Sequence, residues 1–180
     1  MNSADNTYII SFLEQYEATV KTLMYETDLG CVLVGVNFLD LCLKLLLKER
    51  LENDMSCLDS IFEISIGNLS NFSSKIKLSE QLNIISKEQR LELKKLSEIR
   101  NKFAHSYKTI KFSDTDIIKK CAGLKLCNDS IRPSKRYNKP EYSEKTNHEI
   151  SKLRFVYSVM NIMSNFFADA ILRQNKLNLG

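Results

Sequence analysis

Tryptophan is absent, and the 180 residues include only two prolines and five glycines. So few turn-formers argue against a fold of many tight hairpins. No P-loop, G-x-G-x-x-G or G-x-S-x-G segment is present, which removes the common nucleotide-binding and serine-hydrolase readings. Cysteine is present in the wrong pattern for a metal or a disulfide framework. Cys31, Cys42, Cys57, Cys121 and Cys127 are odd in number, with no C-x-x-C and no nearby histidine pair. Neither a zinc site nor any other metal or cofactor is expected, and a reducing cytoplasm fits free thiols best.

A strong charge of one sign is also missing. The 26 basic and 22 acidic residues give a net charge of +4 and are interspersed, as on solvated helix faces. Charge alone therefore does not indicate nucleic acid. Met1 to Asn6 is polar and lacks the basic start of a secretory leader, so no leader is expected. Leu29 to Leu47 has nearly the length of a membrane helix, yet Asn37, Asp40 and Lys44 fall on one of its faces. A charge at mid-bilayer costs about 2.5 kcal/mol or more, so this run is expected to be a central buried helix with a polar stripe, not a membrane span.

Leu, Lys and Ser are the most frequent residues, followed by Ile, Asn and Glu, and the Leu, Lys and Glu content favours helices. The expectation is an all-α protein, a single domain over 1–180, packed as a compact bundle of about six to seven helices around the central apolar one. Ile9, Phe12, Leu13, Tyr16, Val20, Leu23 and Met24 recur at helical spacing and predict a first helix from Ala4 to Met24. Thr27 or Asp28 can cap the second, which reaches about Glu52, with Gly30 and Gly35 placed for close approach of a neighbouring helix. A short helical piece from Ser56 to Ile64 and a turn-rich loop from Ser65 to Asn71 precede a helix over Phe72 to Ile85. Ser86 and Gln89 form a capping box for the helix running through Ile99 toward Phe103, and Ser113 opens another ending near Leu126. Thr146 and Glu149 repeat the capping pattern at the start of a long C-terminal helix within 143–180. Its Ile150, Leu153, Val156, Tyr157, Met160, Met163, Phe166, Phe167 and Ile171 are expected to point inward, as core or as a homodimer surface.

Between these last two helices the periodicity breaks. The loop over 127–142 holds Arg132, Lys135, Arg136 and Lys139 around Tyr137, the one basic cluster with an aromatic inside it. A solvated loop is the favoured reading, and direct nucleic-acid contact the alternative. No convincing helix-turn-helix is found. The nearest candidate, Ile76 to Ile99, has no glycine in its turn and a second helix of mixed Lys and Glu.

Chemistry is offered by one segment, Arg100-Asn101-Lys102-Phe103-Ala104-His105. On a helix, Leu93, Leu96, Ile99, Phe103 and Tyr107 gather on one side and Arg100 falls within that arc. An inward guanidinium needs an anion, and Asp40, Glu26 or Asp28 is the expected partner. Asn101 and His105, four residues apart, share a different side. Arg100 and His105 diverge by about 140° on a straight helix, so a dyad would require a helix end between them or two chains.

Several segments in order resemble the mannitol operon repressor (MltR) family. They are Glu26-Thr27-Asp28-Leu29-Gly30-Cys31-Val32-Leu33-Val34-Gly35, Phe38-Leu39-Asp40, Gly67 to Ile76, and Ile99 to Ser106. Glu26, Asp28, Gly30, Asp40, Arg100, Asn101 and His105 carry the resemblance. It implies a compact helical protein, a transcriptional regulator of repressor type without a DNA-binding motif of its own. The chain departs from that pattern where the family has a Gly-containing turn and Leu82-Asn83-Ile84-Ile85-Ser86 stands here. The six residues from Arg100 are also similar to the R-N-x-x-x-H motif of HEPN ribonucleases. That likeness implies a dimer in which His105 works as acid or base, Arg100 stabilises phosphate and Asn101 orients, without metal.

The sequence reading therefore favours a non-enzymatic cytoplasmic regulator that binds another protein, for which a DNA-bound regulator is one candidate. A dimeric metal-independent ribonuclease using Arg100, Asn101 and His105 is the alternative. No membrane association is expected.

Overall fold

The computed structural model describes residues 18–51, 69–127 and 146–177, with side chains through Ala168. The expected Ser56–Ile64 piece, most of the first helix, Cys57 and the basic cluster Arg132, Lys135, Arg136 and Lys139 lie outside the described residues. Within them are six helices and no strand: α1 (18–25), α2 (Asp28–Leu51), α3 (Phe72–Gln81), α4 (Lys87–Ala104), α5 (Thr115–Ala122) and α6 (Asn147–Leu177). The all-α expectation holds.

The central element is α2. The Thr27 hydroxyl accepts from the Gly30 N–H at 3.1 Å, making Thr27 the cap and leaving Asp28 in the first turn, where the helix dipole favours a carboxylate. Length and composition would allow α2 to cross a membrane, with mean hydropathy 2.0 over its most apolar window. In the fold its inner face is occupied instead: Cys31, Val32, Val36, Leu39, Cys42, Leu43, Leu46 and Leu47 are buried, and α3, α4 and α6 all pack against it. Gly35 makes that packing possible. A methyl group there would sit 3.2 Å from Leu23 of α1, 3.2 Å from Phe155 and 3.4 Å from Val159 of α6. Gly30 serves differently from the expectation, because a methyl there meets Glu26 and Thr27 of the preceding cap and no neighbouring helix.

α3 starts as its sequence suggests, with the Asn71 side chain accepting from Ser74 N–H at 2.7 Å, but it ends four residues earlier than expected, at Gln81. Asn83 takes φ 54°. The Ile84 N–H then returns to the Ser79 carbonyl at 2.8 Å and the Asn83 N–H to Glu80 at 3.0 Å. This is a Schellman stop, in which asparagine occupies the left-handed position that glycine usually takes. Ile84 and Ile85 are thereby buried against the bundle. The turn performs the job of the missing glycine without one.

α4 begins with the reciprocal Ser86–Gln89 capping box. Its Leu93, Leu96, Ile99 and Phe103 are buried as the spacing requires, whereas Tyr107 is fully exposed because the helix stops at Ala104. α5 starts after Asp114 instead of at Ser113 and ends at Ala122, short of Leu126. The Thr146–Glu149 box opens α6, with Glu149 Oε2 accepting from Thr146 N–H at 2.8 Å and Thr146 Oγ1 accepting from Glu149 N–H at 3.3 Å. The buried stripe of α6 runs through Ser151, Phe155, Val156, Ser158, Val159, Ile162, Met163 and Phe166, while Ile150, expected inside, is exposed.

A buried acid ties the bundle together. Glu92, 2% exposed, accepts from the N–H groups of Lys125 and Leu126 and from the Ser158 hydroxyl at 2.7 Å. One carboxylate thus joins α4, the turn after α5, and α6. Glu92 precedes Leu96 and Ile99 by four and seven residues, so it sits on the inward stripe, and that position is the signal sequence reasoning passed over.

Candidate functional site

Successive turns of α4 place Ser97, Arg100 and Asn101 on one side, since residues three and four apart are neighbours on a helix. Opposite them α2 presents Val36, Asn37 and Asp40, and the start of α3 contributes Ser70, Asn71, Phe72 and Ser73. Together these three elements enclose an open polar cleft of about 370 Å3. It brings together Asp40, Arg100 and Asn101 of the expected site residues.

Among the described residues, the expected pairing of Arg100 with Asp40, Glu26 or Asp28 does not occur. Lys75 Nζ donates to Asp40 Oδ1 at 2.6 Å, with the Lys75 side chain 5% exposed and that of Asp40 33%. A buried ammonium needs a counter-ion more than a half-exposed guanidinium does, and Lys75, one turn into α3, reaches Asp40 first. Asp40 is therefore already neutralised. Arg100 keeps a single partner among the described residues, the Asn101 side-chain oxygen, 3.2 Å from Nη1. Lys75 was missed by sequence reasoning, although it lies between Phe72 and Ile76 and so near the inward stripe of α3.

His105 is set apart. It is the C-cap of α4, its N–H donating to the Asn101 carbonyl at 3.1 Å, and its imidazole is exposed and does not line the cleft. Asn101 turns its side chain to Arg100 and is not the orienter of the imidazole that its spacing suggested. Arg100 lines this cleft and His105 does not.

Glu26, Asp28 and Gly30 lie around the start of α2, where Asp28 and the Glu26 carbonyl build a clasp. Both oxygens of Asp28 contact His148 Nε2, at 3.0 and 2.8 Å, and Oδ2 also accepts from Phe112 N–H at 3.0 Å. The Phe112 ring packs against Phe103, Phe155 and the edge of His148. Glu26 offers its carbonyl to Lys152 Nζ at 2.6 Å. The start of α2, the loop after α4 and the start of α6 are thus fixed to one another. Beside the clasp, Leu29, Phe103, Tyr107, Lys108 and Ile110 help line a second hollow of about 260 Å3.

The thiols of Cys31, Cys42 and Cys121 are free, buried and pushed up to about 12 by that burial, and burial likewise raises Cys127. At neutral pH they are inert apolar groups. Among the described residues, no three His, Cys, Asp or Glu side chains are gathered so as to hold a metal ion.

No family model matches the chain, and no curated protein matches its sequence. In fold it is similar to a chain of the X-ray structure of the MtlR–HPr complex from Escherichia coli, with a TM-score of 0.65 and 17% identity. The likeness spans 84% of this chain and 97% of that one.

Proposed function

We propose that this protein is a cytoplasmic regulator of repressor type that works by binding another protein through a helical surface, without catalysis. The observation that carries the reading is the shared fold with a chain solved in a complex named for MtlR and HPr. The exposed residues fit it. Tyr25 and Tyr107 are about nine-tenths exposed or more, and Leu29 is 45% exposed on the rim of the apolar hollow, the amphipathic and aromatic content that protein interfaces favour. The test is a calorimetric titration with HPr from the same host, alongside transcript profiling of a deletion strain. Saturable binding that Tyr107→Ala weakens at unchanged Tm is the expected result. No binding to HPr removes that partner, and unchanged transcripts on deletion overturn the regulatory role.

A dimeric metal-independent ribonuclease is the second reading, favoured by one observation. Arg100 has no carboxylate partner among the described residues and His105 is exposed at a helix end, so both groups are open to a substrate. Since His105 lies outside the cleft that Arg100 lines, the reading brings two chains together. Incubation with labelled RNA decides it: cleavage by the parent and none by His105→Ala supports the reading, and an inactive parent ends it.

A further inference from the structure

We infer that the hollow between the start of α2 and the loop after α4 docks one bulky apolar side chain from an acidic segment of a partner protein. The inference rests on the protein-binding reading and names the chemistry of the partner at that surface. Shape is the first ground. Phe103, 6% exposed, gives the hollow apolar walls together with Leu29 and Ile110, and Lys108 and the fully exposed Tyr107 complete its lining. An apolar cavity of about 150 Å3 takes up benzene, so a hollow of about 260 Å3 has room for one aromatic or branched side chain. Its walls are set in advance. Asp28, next to Leu29, accepts from Phe112 N–H at 3.0 Å, and the Phe112 ring packs on Phe103 with centroids 5.4 Å apart. A site already ordered costs less to fill.

Charge is the second ground. No acid stands between Glu98 and Asp114, whereas Arg100, Lys102, Lys108 and Lys111 do. Lys102 is paired with Asp116 at 3.1 Å. The ammonium groups of Lys108 and Lys111 form no ion pair among the described residues, where only their backbone N–H groups are engaged, with Ser106 at 3.1 Å and Asp114 at 3.2 Å. Lys108 lines the hollow, and Lys111 follows Ile110 of its wall. Of the acids at the start of α2, Asp28 is committed to His148 and Glu26 lies along Gly30. A carboxylate beside the docked side chain therefore meets cations, and a lysine or arginine there is repelled.

Tyr107 is the third ground. Its ring stands clear of the chain beside the hollow, and a large amphipathic ring at the edge of an apolar pocket is the kind of side chain that interfaces use as an anchor. An apolar side chain flanked by carboxylates thus finds an apolar cup, an aromatic rim and two ammonium groups in one place.

The experiment is an NMR titration of the full chain with three acetylated, amidated pentapeptides: phenylalanine between two pairs of glutamates, alanine in its place, and phenylalanine between two pairs of lysines. Expected is saturable binding by the first, with shifts centred on Leu29 and the 103–110 segment, and binding about tenfold or more weaker by the other two. Lys108→Glu should weaken the acidic peptide about fivefold and strengthen the lysine peptide. Leu29→Glu, at a half-exposed position in the first turn of α2, should abolish binding while Tm is kept. No saturation by the acidic peptide, equal response to the lysine peptide, or unaltered binding in both variants overturns the inference. A whole protein partner that binds both variants as it binds the parent overturns the docking site and leaves the protein-binding reading standing. The expected order of peptides, alongside unchanged transcripts in a deletion strain, upholds the docking site and removes the regulatory role instead.

Discussion

Lys75 on α3 lies 2.6 Å from Asp40 on α2, and this one contact decides the state of Arg100 on α4. The lysine side chain is 5% exposed, so its charge must be met inside the bundle. Once Asp40 is committed, the nearby arginine has no acid partner among the described residues and stays at the wall of an open cleft. The residue that appeared destined for the core is left available for a ligand.

The first prediction separates the two cations. Asp40→Ala strands the buried ammonium and should cost about 2–3 kcal/mol, below the full cost of a broken buried pair because Asp40 is partly solvated. Arg100→Ala should cost less than about 1 kcal/mol. Urea unfolding of both variants checks this, and a larger loss for Arg100→Ala would contradict the pairing.

The two glycines of α2 should respond differently. At Gly35 a methyl group presses on Leu23, Phe155 and Val159 at 3.2–3.4 Å, from two other helices, so Gly35→Ala should lose about 1 kcal/mol despite alanine's better helix propensity. At Gly30 the closest atom, Glu26 Oε2, ends an exposed, flexible side chain. Gly30→Ala should be neutral or slightly stabilising, as read by Tm.

Glu92 is expected to be the most sensitive polar residue. Glu92→Ala leaves the Lys125 and Leu126 N–H groups and the Ser158 hydroxyl without their acceptor and should cost about 3 kcal/mol. Glu92→Gln keeps the volume and one oxygen and should lose less. Hydrogen exchange at Lys125 and Leu126 should quicken in both variants.

The buried thiols make a pH prediction. Cys31, Cys42 and Cys121 are pushed from 9.0 up to about 12, so above pH 9 the unfolded chain releases protons that the folded chain holds. Stability should therefore be unaffected by these groups below pH 9 and decline as the pH rises from 9 toward 12. Urea midpoints at pH 8 and pH 9.5 measure the decline, and Cys42→Ala should reduce it in part, since Cys31 and Cys121 still contribute. In the native state these thiols should resist alkylation at pH 8 and react on unfolding.

Much of the fold is written locally. The caps at Thr27, Ser86 and Thr146, the stripe Leu93-Leu96-Ile99-Phe103 and the central position of α2 all follow from spacing within a few residues. In α3 and α4 the apolar spacing runs on past the end of the helix. Ile84 and Ile85 extend the apolar spacing of α3, yet the left-handed Asn83 ends it, because asparagine tolerates that conformation and the two isoleucines gain burial by leaving the helix. Tyr107 continues the stripe of α4 on paper and lies in solvent beyond its last turn.

By itself the sequence determined the all-α class, the order and most starts of the helices, and the segment in which a cation, an amide and a histidine stand together. Those depend on propensity, capping and periodicity, which act over one or two turns. Only the tertiary structure decided that Asp40 belongs to Lys75, that Asp28 clasps His148 and Phe112, and that Arg100 faces a cleft while His105 does not. An ion pair is settled by which partner is more deeply buried and can reach first, and that competition exists only once three helices have been brought together.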